Sequence, residues 1–366
     1  MYRILLIGMS CNIGGIETYL YNLVKNADRN KFKFSFLYPG KGKMAFEDEL
    51  INMGIKVYKL TSRKENRKKH RDEIKSIYKN ERFDCIHYSI MSYSWYEPIT
   101  LAKKSNIKII LHSHNAGPFD GIPLKTRILN YVGMAMTKRV KCAHVSCGVD
   151  AGRFLFKGRE FEVFNNGIDV DKFKFDFANR ADIRKELNVA DDVQVIGNVA
   201  KLEEQKNPLF LVDMFYEYQK KKDNSALILV GEGSLEDDIR AKINNYNIEK
   251  KVFLLGKRID TYKIYSAIDI YIMPSLYEGF SISLVEAQVN GLKCYTSNNV
   301  KKESNISGNV EFLSLKDGAK HWANCICKFD NIRDNDVLKK IPDKYNSSKS
   351  YDAVYKYFVK YIERKK

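Results

Sequence analysis

The chain has 366 residues, and its 62 Lys and Arg outnumber 45 Asp and Glu to give a formal charge of +17. With 44% hydrophobic residues, 12% aromatics, 21 Gly and 7 Pro it is neither disordered, collagen-like nor low in complexity, and it is long enough for two domains with proper cores. So large a positive surplus implies polyanionic company: nucleic acid, an anionic membrane face, or phosphate-bearing substrates.

Short apolar runs recur along the chain, separated by amphipathic stretches. In the first half they are Arg3 to Gly8, Phe34 to Tyr38, Asp84 to Tyr88, Ile107 to His112, Ala143 to Ser146 and Glu162 to Asn165. Glu17 to Lys25 and Arg71 to Lys79 have helical spacing, so the alternation predicts β-α-β units and a parallel sheet. Asn165 to Asp169 is a turn-rich junction, after which the pattern restarts with Gln194 to Val199, Ser225 to Val230, Lys251 to Leu255, Asp269 to Met273 and Leu292 to Thr296. The expected architecture is α/β, with two Rossmann-like doubly wound domains facing a cleft. Residues 1–167 form the first and 168–349 the second, and an aromatic, basic helix over 350–366 packs back on the first.

No segment reaches the ~20 apolar residues that span a bilayer, and the first eight residues fit neither a signal peptide nor an anchor. The expectation is a cytoplasmic protein, peripheral at the inner face of the cell membrane. Seven Cys, mostly in apolar strand-like contexts, read as reduced and structural, and their spacing lacks the paired C-x2-C of zinc sites.

Residues 1–168 hold 29 Lys and Arg against 15 Asp and Glu, +14, which leaves +3 for the remainder. Much of the excess falls in Lys56 to Arg82. A second stretch, Leu124 to Arg139, mixes cations with Leu, Tyr and Met. Such a helix could lie on anionic lipid, where buried apolar area and coulombic attraction add, or it could be a solvated helix with its other side in the core.

The most specific stretch is Pro274-Ser-Leu-Tyr-Glu-Gly-Phe-Ser-Ile-Ser-Leu-Val-Glu-Ala287, a predicted strand end, a turn containing Gly279, and a helix start. Free backbone N–H groups there, aided by the helix dipole, suit a diphosphate. Glu286, about two turns on, suits paired ribose hydroxyls, and Glu278 suits a sugar hydroxyl. Gly197 to Pro208 ends another strand and carries Lys201 and Lys206, both suited to phosphate oxygens. Asn12 to Glu17 follows the first strand, where Gly14 and Gly15 let a ligand approach the backbone.

Together these residues resemble glycosyltransferase family 4, the retaining GT-B enzymes that use nucleotide sugars; the Glu278-x7-Glu286 spacing is similar to that family's signature. The resemblance extends over His112-Ser-His-Asn115, Asn166-Gly-Ile-Asp169, Gln205-Lys206 and Gly231-Glu-Gly-Ser-Leu235, and is closest to the bacterial capsule and exopolysaccharide branch. It implies that Lys201 and Lys206 grip the donor diphosphate, Glu286 takes the ribose, and Glu278 holds a sugar hydroxyl. It further implies that amides at Gly279, Phe280, Ser281 and Ile282 meet phosphate or sugar, that His114 contacts the transferred sugar, that Gly15 passes close to the donor and that Arg258 sits near the base. The implied catalytic set is His114, Lys206 and Glu278, with no metal and no cofactor. The implied partners are a UDP-sugar donor, a lipid-linked saccharide acceptor and an anionic membrane surface, with no nucleic acid. The chain departs from the family in two places: Lys201 stands where Arg is usual, turning a forked contact into a point charge, and Ser281 replaces a common Gly.

Rival readings are weaker on the residues. Asp169-x-Asp171 and Asp334-x-Asp336 have the spacing of metal-dependent transferases but fall at the junction and in a polar late segment. His112-x-His114 lacks a third metal ligand. No G-x-G-x-x-G with an acidic partner opens the first domain, which disfavours a dinucleotide oxidoreductase. A basic nucleic-acid binder explains the first half's charge but not the Gly, Lys and Glu constellation in the second; a non-catalytic transferase-like subunit remains the third alternative.

Overall fold

A computed structural model of the chain describes residues 1–114, 124–278, 280–328 and 333–364. The chain divides into two compact units, Met1–Gly167 with Ser347–Lys366, and Ile168–Asn346.

Among the described residues, the first unit's sheet comprises β1 (Tyr2–Ile7), β2 (Phe32–Tyr38), β3 (Lys56–Lys59), β4 (Cys85–Ile90), β5 (Lys108–Ser113), β6 (Ala143–Ser146) and β7 (Glu162–Val163). Their order is β3-β2-β1-β4-β5-β6-β7, with every described pairing parallel. Successive side chains of a strand face opposite sides, so a strand covered on both faces must be apolar throughout. β1 obeys this: Ile4 and Leu6 enter one core, and Leu5 and Ile7 enter the other.

The last helix, Ser347–Glu363, belongs to the first core. Tyr351 and Tyr355 donate hydrogen bonds to the carbonyls of Tyr19 (3.1 Å) and Leu23 (2.6 Å) on helix Gly15–Lys25. Lys108 Nζ donates to the carbonyls of Tyr361 (3.0 Å) and Ile362 (2.7 Å), a cation placed where the helix dipole is negative. With this helix included, the first unit carries 35 Lys and Arg against 17 Asp and Glu, +18, and Ile168–Asn346 carries 27 against 28, −1. The charge asymmetry is therefore sharper than a division at residue 168 gives.

The second unit's sheet comprises, among the described residues, β8 (Gln194–Val199), β9 (Ser225–Val230), β10 (Val252–Leu254), β11 (Ile270–Met273), β12 (Lys293–Ser297) and β13 (Val310–Leu313). Their order is β10-β9-β8-β11-β12-β13, again with parallel pairings. Ile196, Leu227 and Ile272 fill one face, and Val195, Ile228 and Tyr271 the other.

Periodicity foresees eleven strand positions; β3 and β13 it does not. Both are edge strands, and β3 places an exposed lysine at each end of Lys-Val-Tyr-Lys, which blunts the open edge and erases the apolar run. The expected helix Arg71 to Lys79 extends over Arg67–Asn80, because Asn66 Oδ1 accepts from the Lys69 amide (2.9 Å) and caps it a turn earlier.

Candidate functional site

In an open parallel sheet, ligands sit beyond the carboxyl ends of the strands where the strand order reverses. In the second unit that place lies between β8 and β11. The two loops leaving these strands are tied together: the Leu276 amide donates to Gln205 O (2.8 Å) and Gln205 Nε2 to Tyr277 O (3.1 Å). Lys206 closes a short 3-10 turn, after which left-handed Asn207 and Pro208 launch helix Pro208–Gln219. The result is an ion pair between Lys206 and Glu278, both largely shielded from solvent. Glu278 also forms an isolated parallel bridge with Val300.

Lys201 lies exposed on the loop after β8. That loop is pinned by the loop after β9. Leu202 N donates to Glu232 O (3.0 Å), and the Glu203 carboxylate accepts from Ser234 N (3.1 Å) and Oγ (2.7 Å), bonds that hold its pKa below the usual range. Gly231, at φ +141, has space for no side chain, since a Cβ there would meet Ala200 O at 1.9 Å. At Gly233 the same atom would meet Leu202 O at 2.3 Å.

Helix Ile282–Val289 follows the loop after β11. Its N-cap residue, Ser281, is buried and extended, and its hydroxyl does not cap the helix. Ser281 Oγ lies 3.3 Å from both Ser283 Oγ and Met273 Sδ. The first-turn amides thus receive no side-chain acceptor, which suits them to an anion. Phe280 stacks on Tyr345 (5.2 Å) and Ile282 packs in the same apolar cluster, so their side chains serve the fold and only their backbone is offered to a ligand. Gly279 lies outside the described residues. One turn into the helix, Glu286 accepts a hydrogen bond from Tyr265 Oη (2.9 Å). Desolvation pushes its carboxyl up to about 7, against the lowering effect of that bond.

Arg258 is held by two carboxylates. Its guanidinium binds Asp260 through Nε and Nη2 (2.8 Å each) and also Glu186, tying the segment before helix Thr261–Ala267 to helix Phe177–Glu186.

In the first unit the order reverses between β1 and β4. Gly8, at φ +126, brings the end of β1 against Ser89, whose carbonyl would lie 2.5 Å from a Cβ. The chain then runs through exposed Gly14 and Gly15 into helix Gly15–Lys25. His114 follows β5, its Nε2 3.1 Å from Ser89 Oγ and its ring 4.0 Å from that of His112. His112 Nδ1 lies 3.3 Å from His87 Nε2, and Tyr19 closes the group with its ring 4.8 Å from His112. Burial keeps the imidazoles neutral: His87 and His114 fall to about 3, and His112 well below its usual value.

Two family models match the chain, "Glycosyltransferase Family 4" over residues 13–172 and "Glycosyl transferases group 1" over residues 179–314; the second spans both β8 and β11, and the first begins in the loop after β1 and takes in β4 and β5. The chain is a glycosyltransferase with the GT-B fold. This transferase is 28% identical over 335 residues to the putative glycosyltransferase EpsF of Bacillus subtilis, covering 89% of this chain and 87% of that protein. It is 24% identical to an Escherichia coli UDP-Gal:α-D-GlcNAc-diphosphoundecaprenol α-1,3-galactosyltransferase, covering 79% and 78% respectively. Among solved structures, Anabaena Alr3699/HepE in complex with UDP and glucose superposes with a TM-score of 0.77 at 18% identity, over 98% of this chain and 100% of that one.

Within the second unit of the transferase, the fold brings Lys206 and Glu278 into contact and sets both on loops joined to those carrying Lys201 and Ser281. It adds residues that sequence reading misses. Tyr265, 21 positions before Glu286, carries no local signal, because only the packing of helix Thr261–Ala267 brings it there. Ser89 and Tyr19 beside His114 are equally silent in the sequence. Among the described residues no group of three or more His, Cys, Asp or Glu is arranged to hold a metal ion.

Proposed function

We propose that the chain transfers a sugar, with retention, from a UDP-sugar to a lipid-linked saccharide during bacterial exopolysaccharide or capsule synthesis. The observation that carries this reading is the Lys206–Glu278 pair beside the uncapped start of helix Ile282–Val289. It unites, at the reversal point of one sheet, a cation and amides for a diphosphate with a carboxylate for a sugar hydroxyl. Its support is the two family matches and the sequence relatives, one of which is a UDP-Gal transferase acting on a diphosphoundecaprenol-linked sugar.

In this reading Lys201, Lys206 and the first-turn amides stabilise the negative charge that grows on the diphosphate as the anomeric C–O bond breaks. The acceptor hydroxyl attacks from the departing face and gives its proton to the donor phosphate, so retention needs no protein nucleophile. Glu286 receives the ribose hydroxyls, Glu278 a sugar hydroxyl, and His114, a neutral imidazole, the transferred sugar. The lysines take the place of a divalent cation, so turnover should survive chelators. The protein works as a peripheral enzyme on an anionic cytoplasmic membrane face.

A thermal-shift screen of UDP- and GDP-sugars tests the donor, since a ligand that binds the native state raises its apparent stability. A shift with UDP-sugars that is lost in Lys206→Ala supports the assignment; a shift confined to GDP-sugars, or one indifferent to Lys206, overturns it.

A further inference from the structure

Helix Leu124–Thr137 is built inside out. Its buried residues are Gly133 and Thr137, and apart from Met134, which packs half-buried against the core, its inner seam is polar and small. Asn130 Oδ1 accepts from the Tyr93 amide (2.7 Å), Thr137 Oγ1 donates to Gly133 O (2.8 Å), and a Cβ on Gly133 would meet Tyr93 O at 1.9 Å. Five of its apolar residues face outward: Leu124, Ile128, Tyr131, Val132 and Met136 are between 41% and 69% exposed. They are five of the seventeen large hydrophobics exposed among the described residues. At about 100° per residue they fall within an arc of about 140°, which also takes in Ala135 and, near one edge, Lys125, so they form one face rather than scattered exposures. A soluble helix places such a face in its core, and isolated exposed hydrophobics need no explanation whereas a contiguous patch does.

The surroundings specify the partner. Lys125 and Arg127 lie on the helix, and Lys138, Arg139 and Lys141 follow it, all exposed. Lys103 joins them, its Nζ donating to Arg139 O (3.3 Å). From Leu124 to Val149 the sequence holds no Asp or Glu, and among the described residues none of the five cations after Leu124 has an acidic partner. We propose that this helix is the element that seats the protein on an anionic lipid surface, its apolar arc entering the headgroup boundary while the flanking cations meet lipid phosphates. At 14 residues it is about 21 Å long and lies in the interface; no described helix is long and apolar enough to cross a membrane. A second copy of the chain is a poorer occupant, because a symmetric contact through this face would set two groups of unanswered cations against each other. A nucleic acid would answer the cations but leave the aliphatic arc in water. The inference rests on the lipid-linked acceptor proposed above, which requires the enzyme to work at a membrane.

The test floats the full chain with vesicles of equal phosphatidylglycerol and phosphatidylcholine, and with phosphatidylcholine alone, at 0.1 M salt. Wild type should float with the anionic vesicles, and Ile128→Ser with Met136→Ser should lower that partition at least tenfold at unchanged unfolding temperature. A Tyr131→Trp variant should show a blue-shifted emission, relative to wild type, on adding anionic vesicles. Equal flotation of wild type and the double variant, no emission shift, or a wild-type dimer that the double variant dissolves would each overturn the proposal. UDP binding, measured in parallel, separates the two claims: its loss with flotation intact counts against the donor assignment and leaves the helix standing.

Discussion

Lys206 and Glu278, 72 residues apart in sequence, answer each other's charge where the strand order of the second sheet reverses. Both are assigned to the donor, the lysine to diphosphate and the carboxylate to a sugar hydroxyl, so donor binding has to divide a pair that already exists. Glu278 competes with the diphosphate for Lys206. Replacing it by Gln should therefore tighten binding of UDP alone by about fivefold, for an interaction of roughly 1 kcal/mol, while transfer falls by about two orders of magnitude. Calorimetric titration with UDP beside initial-rate kinetics reads this split. Weaker UDP binding by the Gln variant would mean that Glu278 orders the lysine rather than occupying it.

Glu286 predicts two opposite responses to pH. Its carboxyl titrates at about 7 in the folded chain against an ordinary 4.5, so the folded state holds a proton that the unfolded state releases between those values. Its favourable contribution is complete below 4.5 and is lost as pH rises through about 7, costing about 1–3 kcal/mol. Glu286→Gln should then match wild type in stability near pH 4.5 and exceed it by that amount at pH 8. Ribose hydroxyls, by contrast, need the ionised carboxylate as acceptor, so wild-type UDP affinity should rise with pH through about 7 and lose this dependence in the Gln variant. Denaturant titrations and UDP binding at the two pH values check both.

The imidazole cluster carries the opposite sign. His87 and His114 protonate only near pH 3 when folded but at about 6.5 when unfolded, so their contribution is complete above 6.5 and is lost as pH falls through that window. Hydrogen exchange should show β4 and β5 losing protection between pH 6.5 and 4.5, while strands of the second unit, where Glu286 acts, do not. His87→Leu should flatten the acid response of the first unit. A uniform acid response in both units would show that these imidazoles do not govern it.

Most strands and the loops that carry the candidate residues were legible in the sequence because they obey local rules. Buried parallel strands are apolar throughout, Lys201, Lys206 and Glu278 lie on loops after strand ends marked by glycine and proline, and Glu286 lies in the helix that follows. What stayed hidden depends on tertiary packing. The two carboxylates around Arg258 come from a helix 72 residues away and from Asp260, so its ion pairs could not be read from its neighbours in sequence alone. The inverted face of helix Leu124–Thr137 was legible only as a mixture of cations and hydrophobics, since which side is buried is decided by the approach of Asn130 and Gly133 to Tyr93.

Gly231 and Gly233 offer a test of positioning that touches no proposed ligand contact. Each lets the loop after β9 press on the backbone of the loop carrying Lys201, and at Gly231 the positive φ adds strain to any replacement. Ala at either site drives a methyl into a carbonyl that has no flexible end to move, and should cost about 2 kcal/mol in stability. The part of the strain relieved by shifting that loop displaces Lys201. UDP affinity of Gly233→Ala should then fall several-fold in protein still folded at the assay temperature, and Lys201→Ala should add little to the loss, because the two changes act through the same contact. Fully additive losses would separate the glycine loop from the lysine and leave Gly233 a purely structural residue.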